Sequence, residues 1–178
     1  SRTAWWDASF LYGQDEEHAN MARTFKDGLL KVNNKNPDTL PVNENDVIEV
    51  GDQQNSWVGV ALLQELFLKE HNAVAREIAK NNPELAGNDN ELFHRARLVV
   101  AAVVAKVHTV DWTCQLLNTY TLNVGMNTNW YGIFKALNLP KWLNIFGEPL
   151  SLIGKDHTNT FGVPYCLTEE FVAVYRLH

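Results

Sequence analysis

Apolar residues recur at helical spacing through the middle of the chain. From Asn55 or Ser56, either of which can cap a helix, the positions Val60, Leu63, Phe67, Val74 and Ile78 return at intervals of three, four or seven. The spacing predicts a helix to about Lys80, with Pro83 just beyond its end. His71 falls in the same stripe, in Lys69-Glu-His-Asn72, and reads as a core histidine whose ring nitrogens find partners. A second helix is expected from Asn88, where Glu91 three residues on completes a capping box. It runs through LFHRARLVVAAVVAKVHTVDWTCQLLNTYTL and is apolar nearly all round between Leu98 and Ala105. That marks it as a central, buried helix. Shorter helical pieces broken at Pro140 are expected from Trp130 to Phe146, then a loop from Gly154 to Pro164. A last helix starts at Thr168, with Glu169 and Glu170 in its first turn. Ahead of the helices, Arg23 to Val32 reads as a hairpin, because Asp27-Gly28 suits a tight turn with positive φ. The Asn-rich stretch from Asn33 to Asn55 reads as loop. The fold class is therefore mainly α.

Composition narrows the functions open to such a chain. The 178 residues can bury one core, and neither a deep composition break nor a repeat divides them. The formal net charge is −6 with scattered basic residues, which argues against a nucleic-acid surface. Six tryptophans supply large aromatic area for a core or a cofactor pocket. The apolar run from Leu98 to Ala105 is far short of the roughly 20 residues a spanning helix needs. Cys114 and Cys166 have no metal or redox spacing and lean towards a reducing compartment. Phosphate-binding glycine loops, HExxH and GxSxG are all missing from the sequence.

Three short stretches could carry chemistry. In Thr3-Ala-Trp5-Trp-Asp7-Ala-Ser9, oxygen-bearing side chains at period two would point to one side of an extended loop. Such a loop could wrap a hard cation, or be an ordinary strand and turn. His108 and Thr113 follow the apolar helix and could bind a carboxylate. On a regular helix they sit about 140° apart, so joint binding needs a distortion; the alternative is a core histidine with local hydrogen bonds. Tyr175 and His178 are i and i+3, neighbours on a helix face. They could be ordinary surface residues, or an iron-ligating imidazole beside a redox-active phenol.

Taken in order, the segments WWDASFLYG, RTFKDGLLKV, SWVGVALLQELFLKEHNAVAREIAK, RARLVVAAVVAKVHTVDWTCQLLNTYTLNVGMNTNWYG and GVPYCLTEEFVAVYRLH resemble the animal-type haem peroxidase superfamily. Within it they are most similar to the fatty-acid α-dioxygenases known from plants; the phrases KVHTVDWT, NWYG and LTEEF–YR–H carry that distinction. The resemblance implies that Thr3, Trp5, Asp7 and Ser9 belong to a calcium loop, Trp5 through its carbonyl. It implies that His108 and Thr113 contact the substrate carboxylate, that Tyr175 is the radical tyrosine and that His178 is the proximal haem ligand. A distal histidine and an acidic calcium ligand would lie upstream, and a basic carboxylate partner beyond His178. Residues 1–178 are thus expected to be part of a single haem peroxidase-like domain, cut at both ends and inactive alone.

The implied activity is α-oxygenation of a fatty acid by O2 to a 2-hydroperoxy acid through a radical on Tyr175, with haem b and Ca2+ as cofactors. Fatty acid and O2 are the expected partners, with a peripheral membrane or lipid-surface contact beside them, in an intracellular setting. Rival readings are a diol-synthase-like or plain peroxidase activity, or an inactive truncated member. One departure bears on these: Gly51-Asp-Gln-Gln54 stands where many relatives carry an arginine near Gln54, which weakens a peroxidase side activity more than the oxygenase reading.

Overall fold

A computed structural model describes residues 2–3, 6–13, 15–45, 47–51, 57–140, 166–167 and 169–175. The chain divides into two compact units, one of Ser1–Val103 with Cys166–His178 and one of Val104–Tyr165. The described residues are mainly helical, as the periodicity predicts.

In the first unit, β1 (Arg2–Thr3) pairs antiparallel with β2 (Cys166–Leu167). Two short helices follow, α1 (Ser9–Tyr12) and α2 (Glu16–Ala22), the latter capped by Asp15, whose carboxylate accepts the His18 N–H. The predicted hairpin is present. Asp27 and Gly28 both have positive φ, Leu29 N–H donates to Lys26 O, and Arg23 bridges Leu30. In the Asn-rich loop, Asn33, Asn36 and Asn43 each accept a backbone N–H from two residues on. Those Asx turns explain why that residue type is concentrated there.

Helix α3 (Val58–Asn81) matches the predicted span to within a residue or two, with Trp57 as its cap. The proposed caps Asn55 and Ser56 lie outside the described residues. Its buried face, however, is Gln64, Leu68, His71, Asn72 and Ala75, whereas Leu63 is exposed. His71 is buried as predicted, but Val60, Phe67, Val74 and Ile78 are only half-buried, and the most buried positions include two further polar residues, Gln64 and Asn72. Gln64 donates to Phe10 O, Asn72 bonds both Leu30 N and Leu30 O, and His71 bonds Gly28 O. Each polar side chain satisfies backbone groups that burial would otherwise leave unpaired. A one-turn 3-10 helix (Pro83–Leu85) leads to α4 (Asp89–Lys106). Asn88 Oδ1 accepts the Glu91 N–H, as the capping-box reading requires, but the Glu91 carboxylate turns instead to Arg95.

Helix α4 corrects a second expectation. Its buried residues are Leu92, Phe93, Ala96 and Val100, while Leu98 and Val99 on the other side are exposed. The all-apolar run is therefore not buried all round by the described residues. Nor does the helix continue regularly to Leu122. It widens into a π-helical turn (Val107–Thr113), closes as α5 (Cys114–Leu116), and stops. Leu117 leaves helical φ/ψ, and Thr119 caps a new helix, α6 (Tyr120–Tyr131), by accepting the Leu122 N–H. A threonine hydroxyl at that position stabilises a helix start by about 1 kcal/mol. Gly132, at φ 78, ends α6 and leads into α7 (Ile133–Ala136). The expected break at Pro140 falls at the edge of the described residues, and the loop expected at 154–164 lies outside them. The last helix, α8 (Glu169–Tyr175), starts as predicted, with Thr168 outside the described set. No described helix is long and apolar enough to cross a membrane.

Candidate functional site

The second unit carries the distortion that the His108–Thr113 pair requires. A π-helix bonds residue i to i+5, so Thr113 comes back over His108 instead of lying far round the helix. The Thr113 hydroxyl donates to His108 O at 2.7 Å. Two neighbours make similar bonds: Thr109 Oγ1 donates to Ala105 O at 2.8 Å, and Cys114 Sγ lies 3.6 Å from Thr109 O. Side chains that back-bond to carbonyls four or five residues earlier bend and widen a helix. Three such groups in six residues give a local cause for the π register. His108 is exposed.

Within the first unit, α8 is helical through Tyr175. The Tyr175 side chain and all of His178 lie outside the described residues. The stretch read as a cation loop is only partly described. Thr3 sits in β1 opposite Cys166, and Trp5 lies outside the described set. The extended geometry expected through Ser9 ends earlier. Ala8 takes a left-handed conformation at φ 55, Asp7 Oδ1 accepts the Ser9 N–H at 3.0 Å, and Ser9 opens α1. An Asp side chain that bonds two residues ahead turns the chain, so the period-two alternation does not persist to Ser9. Among the described residues, no group of three or more His, Cys, Asp or Glu could hold a metal ion. A site built from hydroxyls and carbonyls around one carboxylate is of a different kind.

The most developed polar cluster in the first unit is internal. His71 is fully buried; its Nε2 is 2.8 Å from Gly28 O and its Nδ1 is 2.7 Å from the Tyr12 hydroxyl. A carbonyl can only accept, so Nε2 carries the proton and Nδ1 accepts from Tyr12. Burial drives the His71 pKa down to about 4, helped by the charges of Arg23 and Arg97 and opposed by the Gly28 bond. Burial likewise pushes the Tyr12 phenol well up, with Arg97 pulling the other way. Arg23 closes the cluster with a 2.7 Å ion pair to Asp89 and a stack over Phe93 at 4.3 Å.

The match to known proteins spans the whole chain. The family model described as animal haem peroxidase aligns with residues 1–178. The chain belongs to the animal haem peroxidase family. Among curated relatives in that family, it is 48% identical over 178 residues to "Alpha-dioxygenase PIOX" of Oryza sativa subsp. japonica, covering 99% of this chain and 28% of the relative. It is 48% identical over 179 residues to "Alpha-dioxygenase 2" of Arabidopsis thaliana, covering 100% of this chain and 28% of the relative. The structure superimposes on a variant Oryza sativa fatty acid alpha-dioxygenase crystallised with palmitic acid. There the TM-score is 0.74 at 42% identity, over 99% of this chain and 28% of that one. The chain thus spans about a quarter of the length of the relatives it matches.

Sequence reasoning found His108 and Thr113 but not the turn that joins them, and it missed the residues around them. Trp130 on α6 donates its indole N–H to Thr109 Oγ1 at 2.7 Å. The signal that could have found this link, a threonine-rich helix end followed by an aromatic on the next helix, is too common to single it out. Buried Arg23 and its partner Asp89 were also missed, because the pair is separated by 66 positions.

Proposed function

We propose that this chain is part of a haem-dependent fatty-acid α-dioxygenase. The observation that supports the reading is the π turn at Val107–Thr113, where the Thr113 hydroxyl reaches the backbone carbonyl of His108, the other residue expected to hold a carboxylate. A carboxylate held there would gain charge-assisted hydrogen bonds from the His108 imidazole and, once its single proton turns from His108 O to the ligand, from the Thr113 hydroxyl; an end-anchored chain presents its α-carbon to one oxidant reproducibly. The naming of relatives across the whole chain and the palmitic acid in a structural neighbour point the same way.

Tyr175 ends α8, and His178, three residues on in the sequence, would hold the haem iron through its imidazole. When bound, the haem supplies the one-electron oxidising power. Tyr175 gives up its phenolic hydrogen and, as the phenoxyl, takes a hydrogen atom from the carbon next to the carboxylate. O2 adds to that carbon, and the resulting peroxyl takes the hydrogen back from Tyr175, restoring the phenoxyl, so that R–CH2–COOH and O2 yield R–CH(OOH)–COOH. This product can lose CO2 and water to give an aldehyde one carbon shorter. His108 and Thr113 fix the carboxylate throughout. Thr3, the Trp5 carbonyl, Asp7 and Ser9 would supply part of a Ca2+ shell that ties β1 to α1, the remaining ligands coming from elsewhere.

The test is oxygen uptake with palmitate and with its methyl ester, together with the position of the new C–O bond. Oxygenation at carbon 2 with strong preference for the free acid is expected. Tyr175→Phe is expected to retain haem and its Soret band while losing the reaction. Oxygenation deep in the chain, or esters turning over as well as acids, would overturn the reading.

A further inference from the structure

The π register at Val107–Thr113 needs explaining, because i→i+5 hydrogen bonding is rare and usually confined to single turns. The back-bonds of Thr109 and Thr113 originate inside the segment, and that of Cys114 from the residue just after it. A further bond arrives from α6, 21 residues away in sequence: Trp130 Nε1–H to Thr109 Oγ1 at 2.7 Å. An indole N–H can only donate. The Thr109 oxygen must therefore accept from Trp130, which leaves its single proton for Ala105 O, with Lys106 O as a longer second acceptor at 3.3 Å. The chain Trp130 N–H to Thr109 O–H to Ala105 O is directional, and it grips the helix where regular winding gives way to the wider turn. Nearby, the ammonium of Lys106, the last residue of α4, lies 5.6 Å from the Tyr131 ring on α6.

We propose that Trp130 is a positioning residue: through the Thr109 hydroxyl, its indole N–H holds the five-residue register that sets Thr113 over His108. It touches neither substrate nor cofactor on this proposal, and it acts by keeping the carboxylate-binding pair in register. The inference rests on the reading that His108 and Thr113 bind the fatty-acid head group. Its structural half, that Trp130 holds the turn, can be tested without that reading.

The experiment uses the full haem-loaded protein and four variants: Trp130→Phe, Thr109→Val, the double variant, and Thr109→Ser. Trp130→Phe keeps an aromatic ring and removes the donor; Thr109→Val keeps the shape and removes the hydroxyl. Kinetics with palmitate are paired with amide hydrogen exchange over residues 105–117. Each single variant is expected to raise KM for palmitate about three- to tenfold, the range of one lost hydrogen bond, with kcat within about twofold. Exchange over the turn should quicken in both. The double variant should be no worse than the worse single, because the two groups act through one link. Thr109→Ser, which restores the hydroxyl, should recover most of the affinity. Unchanged exchange in Trp130→Phe would overturn the proposal. So would a fall in kcat with KM unmoved, or single effects that multiply in the double variant. If the parent protein does not oxygenate palmitate at carbon 2, the head-group reading fails, and the exchange measurement alone then decides whether Trp130 holds the turn.

Discussion

Acidification should unfold this protein in part through His71. The ring is buried and neutral, with Nε2–H given to Gly28 O and Nδ1 receiving the Tyr12 O–H. Protonating it would break the Tyr12 bond and place a cation beside Arg23 and Arg97. The folded-state pKa of about 4 lies below the ordinary 6.5. Below pH 6.5 the unfolded chain therefore binds a proton that the folded chain refuses. The stabilisation is complete above pH 6.5 and is lost as pH falls towards 4. At 1.36 kcal/mol per pH unit the full loss is about 3 kcal/mol, of which about 2 kcal/mol falls between pH 7 and pH 5. Urea unfolding followed by tryptophan fluorescence, at half-unit steps from pH 7.5 to 4, measures it. His71→Gln provides the reference, since an amide can still donate to Gly28 O and accept from Tyr12 but does not titrate. Carboxylates common to both proteins cancel in the difference, so the variant should lose about 2 kcal/mol less than the parent between pH 7 and 5. Parallel pH profiles for the two proteins would refute the reasoning.

Gly28→Ala should destabilise by more than about 2 kcal/mol, because a Cβ there would lie 2.6 Å from Leu92 Cβ and 2.7 Å from Phe93 N, and φ is +70; thermal melting reads it. Asp89→Asn should cost about 3–5 kcal/mol, since it leaves the buried Arg23 guanidinium without its 2.7 Å partner. Arg23→Met/Asp89→Leu should recover much of that loss in the same assay. For the calcium loop, a strong chelator should lower the melting temperature of the parent and leave that of Asp7→Ala unmoved. A parent insensitive to chelation would remove calcium from the account.

Local signals were legible where one short stretch decides the structure. Asp27-Gly28 announced its turn because two successive positive φ angles favour those residues, and the long helices announced themselves by their period. Two kinds of feature were hidden. One is burial of polar side chains whose partners are distant: Gln64 and Asn72 bond backbone groups 54 and 42 positions away, so apolar periodicity placed His71 in the core but missed the two polar residues buried on the same face of α3. The other is winding. The π segment is only 7 residues long, too short for its wider period to show in hydrophobic spacing, so it looked like more of the same helix. His108 and Thr113 were therefore named as a pair by resemblance, while their spacing on a regular helix spoke against them. The hydroxyl back-bonds that reconcile the two were present as Thr109 and Thr113, residue types that occur in many helices for other reasons.

The three-residue stretch from Gly28 to Leu30 is knotted to both long helices of the first unit. Asp89 on α4 holds the Gly28 N–H at 2.7 Å, His71 on α3 holds its carbonyl, and Asn72 holds both polar groups of Leu30. A hairpin tied this way cannot fray by itself. Its tip opens only when the loop, α3 and α4 come apart together, which makes these segments one cooperative unit of unfolding. The amides of Gly28 and Leu30 should be among the slowest to exchange, despite belonging to a turn near the surface. Because their partners are 42 to 61 residues away in sequence, the hairpin should also form late, after loop closure has brought both helices to it.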